Sequence, residues 1–333
     1  MKVAVVILNW NGKQLLEQFL PSVVQYSKEA TVYVADNAST DDSVAFVKDQ
    51  FPKVSIVVNP ANTGYAGGYN DALQHIEADV YALVNSDIEV TENWLQPIIK
   101  VFQNEPTTAI IQPKILDYKN KDYFEYAGAA GGFIDQYGYP FCRGRIFNTL
   151  EKDLGQYDSN QEIFWASGAC FFIRSNVYKE LKGFDTSFFA HQEEIDLCWR
   201  AINKGHTIKY LFESKVFHVG GATLQQGNPK KTELNFRNSL LMLTKNLPKK
   251  VLFRVLFIRM VLDGIAGIKF LLEGQPKHLV AVLKAHFSFY QRFAINYNKR
   301  DTYQQTKYYF TKSIVLSYFI KKIHFFNELI RLK

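Results

Sequence analysis

The sequence has few cysteines, and none of them lie close together. Its 333 residues include only three, Cys142, Cys170 and Cys198. An odd number at such wide spacing argues against both a disulfide framework and a cysteine-based zinc site. We therefore expect a protein that works in a reducing compartment.

The N-terminal segment lacks the pattern of a signal peptide. MKVAVVILNWNG has a single Lys, and its apolar run stops at Asn9 without a small-residue cleavage site. A secretory leader needs a basic start, an apolar centre and such a site, so this segment is more typical of a first β-strand. We expect a cytoplasmic protein.

No long uncharged apolar run is present either. Residues 251–272 are the most apolar stretch, but Arg254, Arg259, Asp263 and Lys269 interrupt it. A spanning helix needs about 20 predominantly apolar residues, so this segment does not qualify. A helix that lies in the membrane interface would tolerate these charges, because long basic side chains can reach the headgroups.

The charge is divided unevenly along the chain. Residues 228–333 carry 20 Lys and Arg against 5 Asp and Glu, a net charge of +15, whereas residues 1–227 carry a net charge of −8. Such a basic region suits an anionic membrane surface, an acidic partner or nucleic acid. The alternative is a helical subdomain that packs on the body with a solvated basic face. The sequence contains no recognised nucleic-acid motif, so we expect no nucleic-acid partner.

The first 116 residues have the rhythm of an α/β fold. Amphipathic stretches alternate with the β-branched runs VAVVIL, ATVYVAD, VSIVVN, YALVNSD and AIIQPKIL. This alternation predicts a Rossmann-like, mainly parallel sheet flanked by helices. Polar or Gly-rich clusters follow the first four runs, at residues 9–12, 36–39, 59–68 and 85–87. Ligands bind at the carboxyl ends of such strands, so we expect one shared pocket.

The rest of the chain divides into two further parts. Residues 117–162 are rich in Tyr, Gly and charge, and we expect an irregular subdomain there. Strand-like runs and a helix follow, and long helical segments begin near residue 233. We predict a body at 1–227, with a nucleotide half at 1–116 and an acceptor half at 117–227, and a helical C-terminal region at 228–333.

Two of the strand-end clusters have the composition of a nucleotide site. Asp36 can accept the imide N–H of a uracil or thymine base, although Asp also makes ordinary turns. Gly64 and Gly67 lie just before a predicted helix, where glycines allow close approach and the helix N-terminus favours a diphosphate.

A third cluster has the composition of a metal site. Asp87 and Glu89 alternate after a predicted strand, and carboxylates are the ligands that Mg²⁺ or Mn²⁺ requires. Asp87 also suits the simpler role of a helix cap. His218 follows a later strand and offers a nitrogen ligand, although a lone His is more often a packed or surface residue.

The fourth cluster crowds acidic residues into the first turn of a predicted helix, HQEEIDLCWR. Glu193, Glu194 and Asp196 are stabilised there by the helix macrodipole. Three carboxylates beside His191 exceed what capping needs, and crowded like charges raise a carboxylate pKa. A general base among these three carboxylates is therefore our interpretation.

Taken together, these motifs give a specific resemblance. VVILNWNG, DNASTDDS, NTGYAGGYN, NSD, GACFFIRS, GFDTSFFAHQEEIDLCWR, FHVGG and FRN occur in this order over residues 3–246. In this set the chain resembles the family 2 glycosyltransferases, and within them the rhamnosyltransferase-like enzymes of bacterial surface polysaccharide assembly.

The resemblance implies a GT-A fold and assigns roles to individual residues. Asp36 corresponds to the base-contacting Asp, Asp87 to the last residue of the metal-binding DxD motif, and His218 to a further metal ligand. Glu194 corresponds to the catalytic base. The chain departs from the family in having Asn85 at the first DxD position and Glu, not Asp, at the base.

The implied reaction is an inverting transfer from a nucleoside-diphosphate sugar, such as dTDP-rhamnose or a UDP-sugar, to a glycan or lipid-linked acceptor. We expect it at the inner face of the cytoplasmic membrane. The residues assigned to donor binding are Asn9, Asn11, Asp36, Asn62, Gly64, Gly67, Asn70, Asn85 and Ser86. Those assigned to the acceptor are Trp165, His191 and Trp199, although both tryptophans are equally suited to the core. The alternative function is a catalytically silent scaffold that binds nucleotide sugars.

Overall fold

A computed structural model describes residues 1–220 and 227–331. Its β-strands form a large central sheet and a small second one. The strands are β1 (Val3–Asn9), β2 (Ala30–Asp36), β3 (Ser55–Val58), β4 (Val80–Asn85), β5 (Ile88–Val90), β6 (Thr108–Asp117), β7 (Gly132–Ile134), β8 (Pro140–Cys142), β9 (Arg145–Ile146), β10 (Thr149–Leu150), β11 (Gln161–Glu162), β12 (Cys170–Arg174) and β13 (Thr207–His218).

The central sheet has the strand order β11-β13-β6-β12-β4-β1-β2-β3, and β5 pairs with β13. Strands β4, β1, β2 and β3 are mutually parallel, as the sequence predicts. Strand β12 runs antiparallel between β4 and β6, while β6 and β13 are parallel to each other. The predicted α/β fold with a mainly parallel sheet is therefore confirmed.

Helices cover both faces of this sheet. In the body they are α1 (Lys13–Tyr26), α2 (Ser43–Gln50), α3 (Gly64–Leu73), α4 (Gln96–Asn104), α5 (Ser175–Glu180) and α6 (Glu193–Asn203). Val5 of β1 packs in the same cluster as Leu20 of α1, whereas Val6 packs with Tyr69 of α3. Successive residues of a strand point to opposite faces, and burial of both faces explains the continuous apolar runs.

The region predicted to be irregular, residues 117–162, contains a small antiparallel sheet with the order β10-β9-β8-β7. Cys142 of β8 pairs with Arg145 of β9 across a two-residue turn, in which Gly144 has a φ of 93°. Only glycine adopts such a backbone without strain. Strands of two or three residues are too short to show a period-two pattern, so the sequence does not reveal them.

The C-terminal helical region predicted from the sequence is confirmed. Its helices are α7 (Pro229–Asn246), α8 (Lys249–Leu272), α9 (Pro276–Asn298), α10 (Ile314–Phe319) and α11 (Phe326–Ile330). Asn228 caps α7 by accepting a hydrogen bond from the backbone N–H of Lys230 at 2.8 Å. The predicted domain boundary at residue 227 adjoins residues 221–226, which lie outside the described part of the chain.

Within the described ranges, none of the helices combines the length and apolarity needed to cross a bilayer. Helix α8 instead contains a buried ion pair, in which Arg259 Nε lies 3.0 Å from Asp263 Oδ1. His286 of α9 lies 3.3 Å from the other oxygen of Asp263, and Arg259 donates to the Tyr137 carbonyl at 3.1 Å. This network joins α8 and α9 to the small sheet.

We expect Asp263→Ala to lower the free energy of unfolding by about 3 to 5 kcal/mol, because the Arg259 charge would remain buried without its partner. Lys269→Ala breaks an exposed ion pair with Glu273, the residue that follows the helix, and should cost less than about 1 kcal/mol. Urea denaturation of both variants measures the difference. Equal losses would contradict a structural role for the buried pair.

Candidate active site

The polar clusters that follow β1, β2 and β4, at residues 9–12, 36–39 and 85–87, meet at one edge of the central sheet. Asn9 at the end of β1 pairs in register with Asp36 at the end of β2, and Leu8 pairs with Asn85 at the end of β4. Ser86 and Asp87 follow directly. The backbone N–H of Asn85 donates to the Ala169 carbonyl at 2.9 Å, which adds the start of β12 to this edge.

The Asp36 carboxylate is buried and held by its neighbours. Its Oδ1 accepts a hydrogen bond from Asn9 Nδ2 at 3.1 Å, and its Oδ2 accepts from the Ser39 N–H at 2.9 Å. The Ser39 hydroxyl in turn accepts from the Asn11 N–H at 2.9 Å. Asn9 Oδ1 is buried with no hydrogen-bond partner among the described residues. The cluster therefore presents a fixed carboxylate and an unpaired amide oxygen.

Side-chain amides hold the glycine-rich loop in place through hydrogen bonds. Asn62 Oδ1 accepts from the Gly64 N–H at 3.0 Å and from Asn37 Nδ2 at 3.0 Å. Gly64 has a φ of 74°, and a Cβ there would lie 2.6 Å from the Phe189 carbonyl oxygen. A Cβ at Gly67 would lie 2.4 Å from Thr63 Oγ1. Both glycines are thus needed where α3 begins.

Asn70 has a different position from the other predicted donor residues. Its Oδ1 accepts from the Tyr178 hydroxyl at 2.6 Å and from the Phe184 N–H at 2.9 Å, and its Nδ2 donates to the Phe184 carbonyl at 2.9 Å. These bonds attach α3 to the turn after α5. The structure therefore places the Asn70 side chain in a contact that joins α3 to this turn.

Asp87 and His218 lie side by side, as the strand ends of β4 and β13 converge. His218 Nε2 is 3.2 Å from Asp87 Oδ1, and His218 Nδ1 is 3.2 Å from Glu125 Oε1. The Gly220 N–H donates to Asp87 Oδ2 at 3.2 Å. All three side chains are buried. The sequence analysis missed Glu125, because it lies in a segment without periodicity.

The two carboxylates favour the charged form of His218. Burial lowers the pKa of this imidazole, but the Glu125 charge and the hydrogen bonds to Asp87 and Glu125 outweigh burial and raise it to about 10. Burial raises the pKa of Asp87, and the contacts with His218 lower it overall. Without a metal, the pair is an ion pair.

Asp87 and His218 also fit a divalent metal. A carboxylate and an imidazole nitrogen stand next to each other, and Glu125 holds the other nitrogen as carboxylates do for metal-bound histidines. In the described part of the chain, no group of three His, Cys, Asp or Glu side chains converges on one metal position. Glu89 belongs to β5 and pairs with Lys121. Mg²⁺ commonly takes its remaining ligands from water and substrate phosphates.

The acidic cluster follows a strained turn. Phe189, His191 and Gln192 all have positive φ values, of 64°, 70° and 73°. Non-glycine residues rarely adopt this backbone, and it persists only where the surroundings impose it. The Phe189 carbonyl accepts from the Tyr65 N–H at 3.1 Å, so the turn touches the glycine-rich loop. Residues 188–192 are called the base turn below.

Helix α7 holds the base turn. Asn238 Nδ2 lies 3.0, 2.9 and 2.8 Å from the carbonyl oxygens of Phe188, Ala190 and His191. Arg237 donates to the Phe188 carbonyl at 3.1 Å and to Asn238 Oδ1 at 2.9 Å. Both residues belong to the FRN motif, to which the sequence analysis gave no role.

The two glutamates at the start of α6 differ in exposure and in pKa. Glu193 is buried, and burial together with the charge of Glu194 raises its pKa well above the usual range. Glu194 is partly exposed, and burial raises its pKa to about 7 against backbone hydrogen bonds that lower it. Burial thus favours the neutral form of Glu193, while the pKa of the Glu194 carboxyl group lies near neutral pH.

Asp196, the third candidate base, has both oxygens occupied. Arg200 and Lys245 each donate to its Oδ2 at 2.8 Å, and Asn246 donates to its Oδ1 at 2.9 Å. Burial raises its pKa, but the charges of Lys245 and Arg200 lower it overall. Asp196 attaches α6 to α7 and is not free to receive a proton from an acceptor.

The predicted acceptor residues are placed differently from one another. Trp165 and Trp199 are buried in the core, where Trp165 Nε1 donates to the Phe133 carbonyl at 2.9 Å and Trp199 stacks on Tyr308 at 5.2 Å. These contacts favour the core interpretation of both tryptophans. His191 lies in the base turn, and burial lowers its pKa to about 4, so its imidazole is neutral.

Comparison with solved structures defines the fold. GalNAc-T7 with UDP, GalNAc and Mn²⁺ superposes with a TM-score of 0.58 at 17% identity over 75% of this chain, which spans 48% of that chain. S. aureus TarS 1–349 with UDP gives a TM-score of 0.54 at 15% identity over 90% of both chains. The protein has the GT-A fold of these glycosyltransferases.

The sequence comparison gives the family. The profile of glycosyl transferase family 2 matches residues 4–182, more than half of the chain, and the chain belongs to this family. It is 24% identical to the N-acetylglucosaminyl-diphospho-decaprenol L-rhamnosyltransferase of Mycobacterium tuberculosis H37Rv, over 64% of this chain and 75% of the relative. It is 22% identical to a low-salt glycan biosynthesis hexosyltransferase of Haloferax volcanii, over 60% and 61%. The protein is a glycosyltransferase.

We expect Asn238→Ala to loosen the base turn, because the carbonyls of residues 188, 190 and 191 would lose their shared donor. Hydrogen exchange at the amides of residues 189–194 should become faster, with a loss of about 1 to 3 kcal/mol in unfolding free energy. Asn298→Ala, at the exposed end of α9, is the control. Unchanged exchange in the Asn238 variant would show that the turn does not depend on α7.

Proposed function

We propose that the enzyme transfers a sugar with inversion from a nucleoside-diphosphate sugar to a glycan or lipid-linked acceptor in cell-surface polysaccharide synthesis. The observation that carries this proposal is the position of Glu194. It has a partly exposed carboxyl group with a pKa of about 7, beside a turn that contacts the glycine-rich loop. A base with this pKa is matched to neutral pH.

Glu194 acts as the general base in this proposal. Its carboxylate takes the proton of an acceptor hydroxyl while that oxygen bonds to the anomeric carbon. The bond from this carbon to the diphosphate oxygen breaks, and the nucleoside diphosphate leaves with the electron pair. Attack opposite the leaving group inverts the anomeric centre. The raised pKa of Glu193 favours its neutral form, which would leave the negative charge of the pair on Glu194.

The strand-end clusters bind the donor. The Asp36 carboxylate accepts the imide N–H of uracil or thymine, and the Gly64 loop at the start of α3 receives the diphosphate. Asn9, Asn11, Asn62, Gly67, Asn85 and Ser86 complete this surface. A dTDP-rhamnose or UDP-sugar donor fits the base contact, and the mycobacterial relative is named for L-rhamnosyl transfer.

Asp87 and His218 hold the Mg²⁺ or Mn²⁺ ion in this proposal. When bound, the metal neutralises negative charge on the diphosphate. Glu125 contacts His218 Nδ1 and so orients the ring, which leaves Nε2 to bind the metal. Glu89 is left out, because its carboxylate pairs with Lys121. Asn85 replaces the first carboxylate of the DxD motif at the end of β4.

We place the enzyme in the cytoplasm, peripherally on the inner face of the cytoplasmic membrane. The net charge of +15 in residues 228–333 supports contact with anionic lipid. The mycobacterial relative is named for an acceptor carried on a decaprenol lipid. A lipid-linked acceptor requires an enzyme that works at the bilayer surface.

We expect Glu194→Gln to lower kcat by about 10²- to 10⁴-fold, because the base is lost. Glu193→Gln should keep most activity, since the amide resembles the protonated acid. The base must be deprotonated, so kcat/KM of the wild type should fall as pH drops below an apparent pKa of about 7. Transfer assays with UDP- and dTDP-sugars measure this.

Three results of these assays would count against the proposal. A reversed pattern would assign the base to Glu193. Full activity of both variants would contradict a base in this cluster. Nucleotide binding without turnover in the wild type would support the silent scaffold.

We expect Glu125→Gln to weaken Mn²⁺ binding by about 10- to 100-fold, because a carboxamide orients His218 less well than a carboxylate. Isothermal titration with Mn²⁺ alone measures this without any assay of activity. Glu89→Gln removes an equal charge nearby and should leave the affinity unchanged. A larger effect from Glu89→Gln than from Glu125→Gln would reject Asp87 and His218 as the metal pair.

A further inference from the structure

Helix α8 has an apolar stripe that the protein leaves uncovered. Its exposed members recur every three or four residues: Phe253, Phe257, Val261, Ile265, Ile268 and Leu272. The opposite side of the same helix is buried against the body and carries the Arg259–Asp263 pair. Phe257 is 66% exposed and Leu272 is 82% exposed. A surface helix normally buries one apolar side and exposes a polar one, so a second, exposed apolar side indicates an interaction surface.

Helix α9 continues this surface. Val280, Leu283, Phe287 and Tyr290 are exposed at helical spacing, and Phe287 is 66% exposed. The two stripes approach each other across the helix pair. The Phe253 ring lies 6.4 Å from that of Phe293, and the Tyr290 hydroxyl lies 3.2 Å from Met260 Sδ. The exposed apolar residues of α8 and α9 together are called the docking face.

Basic side chains accompany the docking face almost without acids. Residues 249–298 contain eight Lys and Arg but only two acidic residues. Asp263 is buried, and Glu273 pairs with Lys269. Lys250, Arg254 and Lys284 are exposed. This combination of large apolar side chains and cations is complementary to an anionic lipid surface. A second copy of the chain would instead bring like charges together.

We propose that the docking face lies in the headgroup region of an anionic bilayer. Its apolar side chains enter the acyl boundary, and the Lys and Arg side chains extend to the lipid phosphates. This inference assigns the proposed membrane contact to particular helices. The link to a lipid-linked acceptor rests on the proposed function. The binding itself is a property of the α8–α9 surface alone.

Contacts inside the protein connect the helices of the docking face to the base turn. Thr232 of α7 lies 2.7 Å from His278 of α9, from Oγ1 to Nδ1. Lys299, just after α9, lies 2.8 Å from Asp185, three residues before the base turn. Since α7 also holds this turn, a bilayer under α8 and α9 would keep Glu194 in a defined position relative to a lipid-linked acceptor.

Sedimentation with vesicles tests the proposal. The full-length protein should bind phosphatidylcholine vesicles that contain phosphatidylglycerol, and bind pure phosphatidylcholine much less. Phe257→Glu with Leu283→Glu should lower the partition coefficient by about tenfold or more, because charged groups would have to enter the acyl boundary. The matched control is Val58→Glu with Leu154→Glu, two exposed apolar residues of the body. It should bind like the wild type.

Two results would overturn the proposal. One is unchanged vesicle binding by the Phe257 and Leu283 variant. The other is a wild type that does not bind anionic vesicles but forms a dimer in analytical ultracentrifugation, which the same variant disrupts. Nucleotide-sugar hydrolysis without lipid is measured in parallel. Vesicle binding without hydrolysis supports the docking face and counts against the proposed function, so the two failures are distinguishable.

Discussion

The base turn is the constraint on which the candidate active site depends. Three non-glycine residues adopt positive φ values within four positions, and one side-chain amide of α7 holds the carbonyl oxygens of Phe188, Ala190 and His191 in the same turn. The same turn contacts the glycine-rich loop through Phe189 and leads directly into Glu193 and Glu194. Backbone strain of this kind needs surroundings that fix it. The C-terminal helical region is therefore part of the active-site architecture.

The sheet positions the second half of the site by a simpler rule. Parallel strands end at a common edge, so Asn9, Asp36 and Asn85 are brought together by register alone. Asp87 and His218 follow from the same rule at β4 and β13. The carboxylates of the two halves differ in their surroundings: Glu125 and Asp87 favour the charged form of His218, whereas burial raises the pKa values of Glu193 and Glu194.

The sequence predicts the parts of the fold that local patterns encode. Long apolar runs predict β1 to β4 and β6, and the polar residues after them predict the edge of the sheet at which the candidate site lies. Glu125, Arg237 and Asn238 are missed, because their roles depend on contacts between residues about 50 or more positions apart. The tryptophans show the opposite problem. A Trp suits a sugar site and a core equally, and only the packing of Trp165 and Trp199 distinguishes the two roles.

The central claim is that Glu194 is the group that exchanges a proton at neutral pH. A ¹³C NMR titration of the glutamate side-chain carboxyl carbons tests it most directly. The account predicts one glutamate signal that titrates near pH 7 in the wild type, disappears in Glu194→Gln and persists in Glu89→Gln. Persistence of that signal in Glu194→Gln would contradict the assignment.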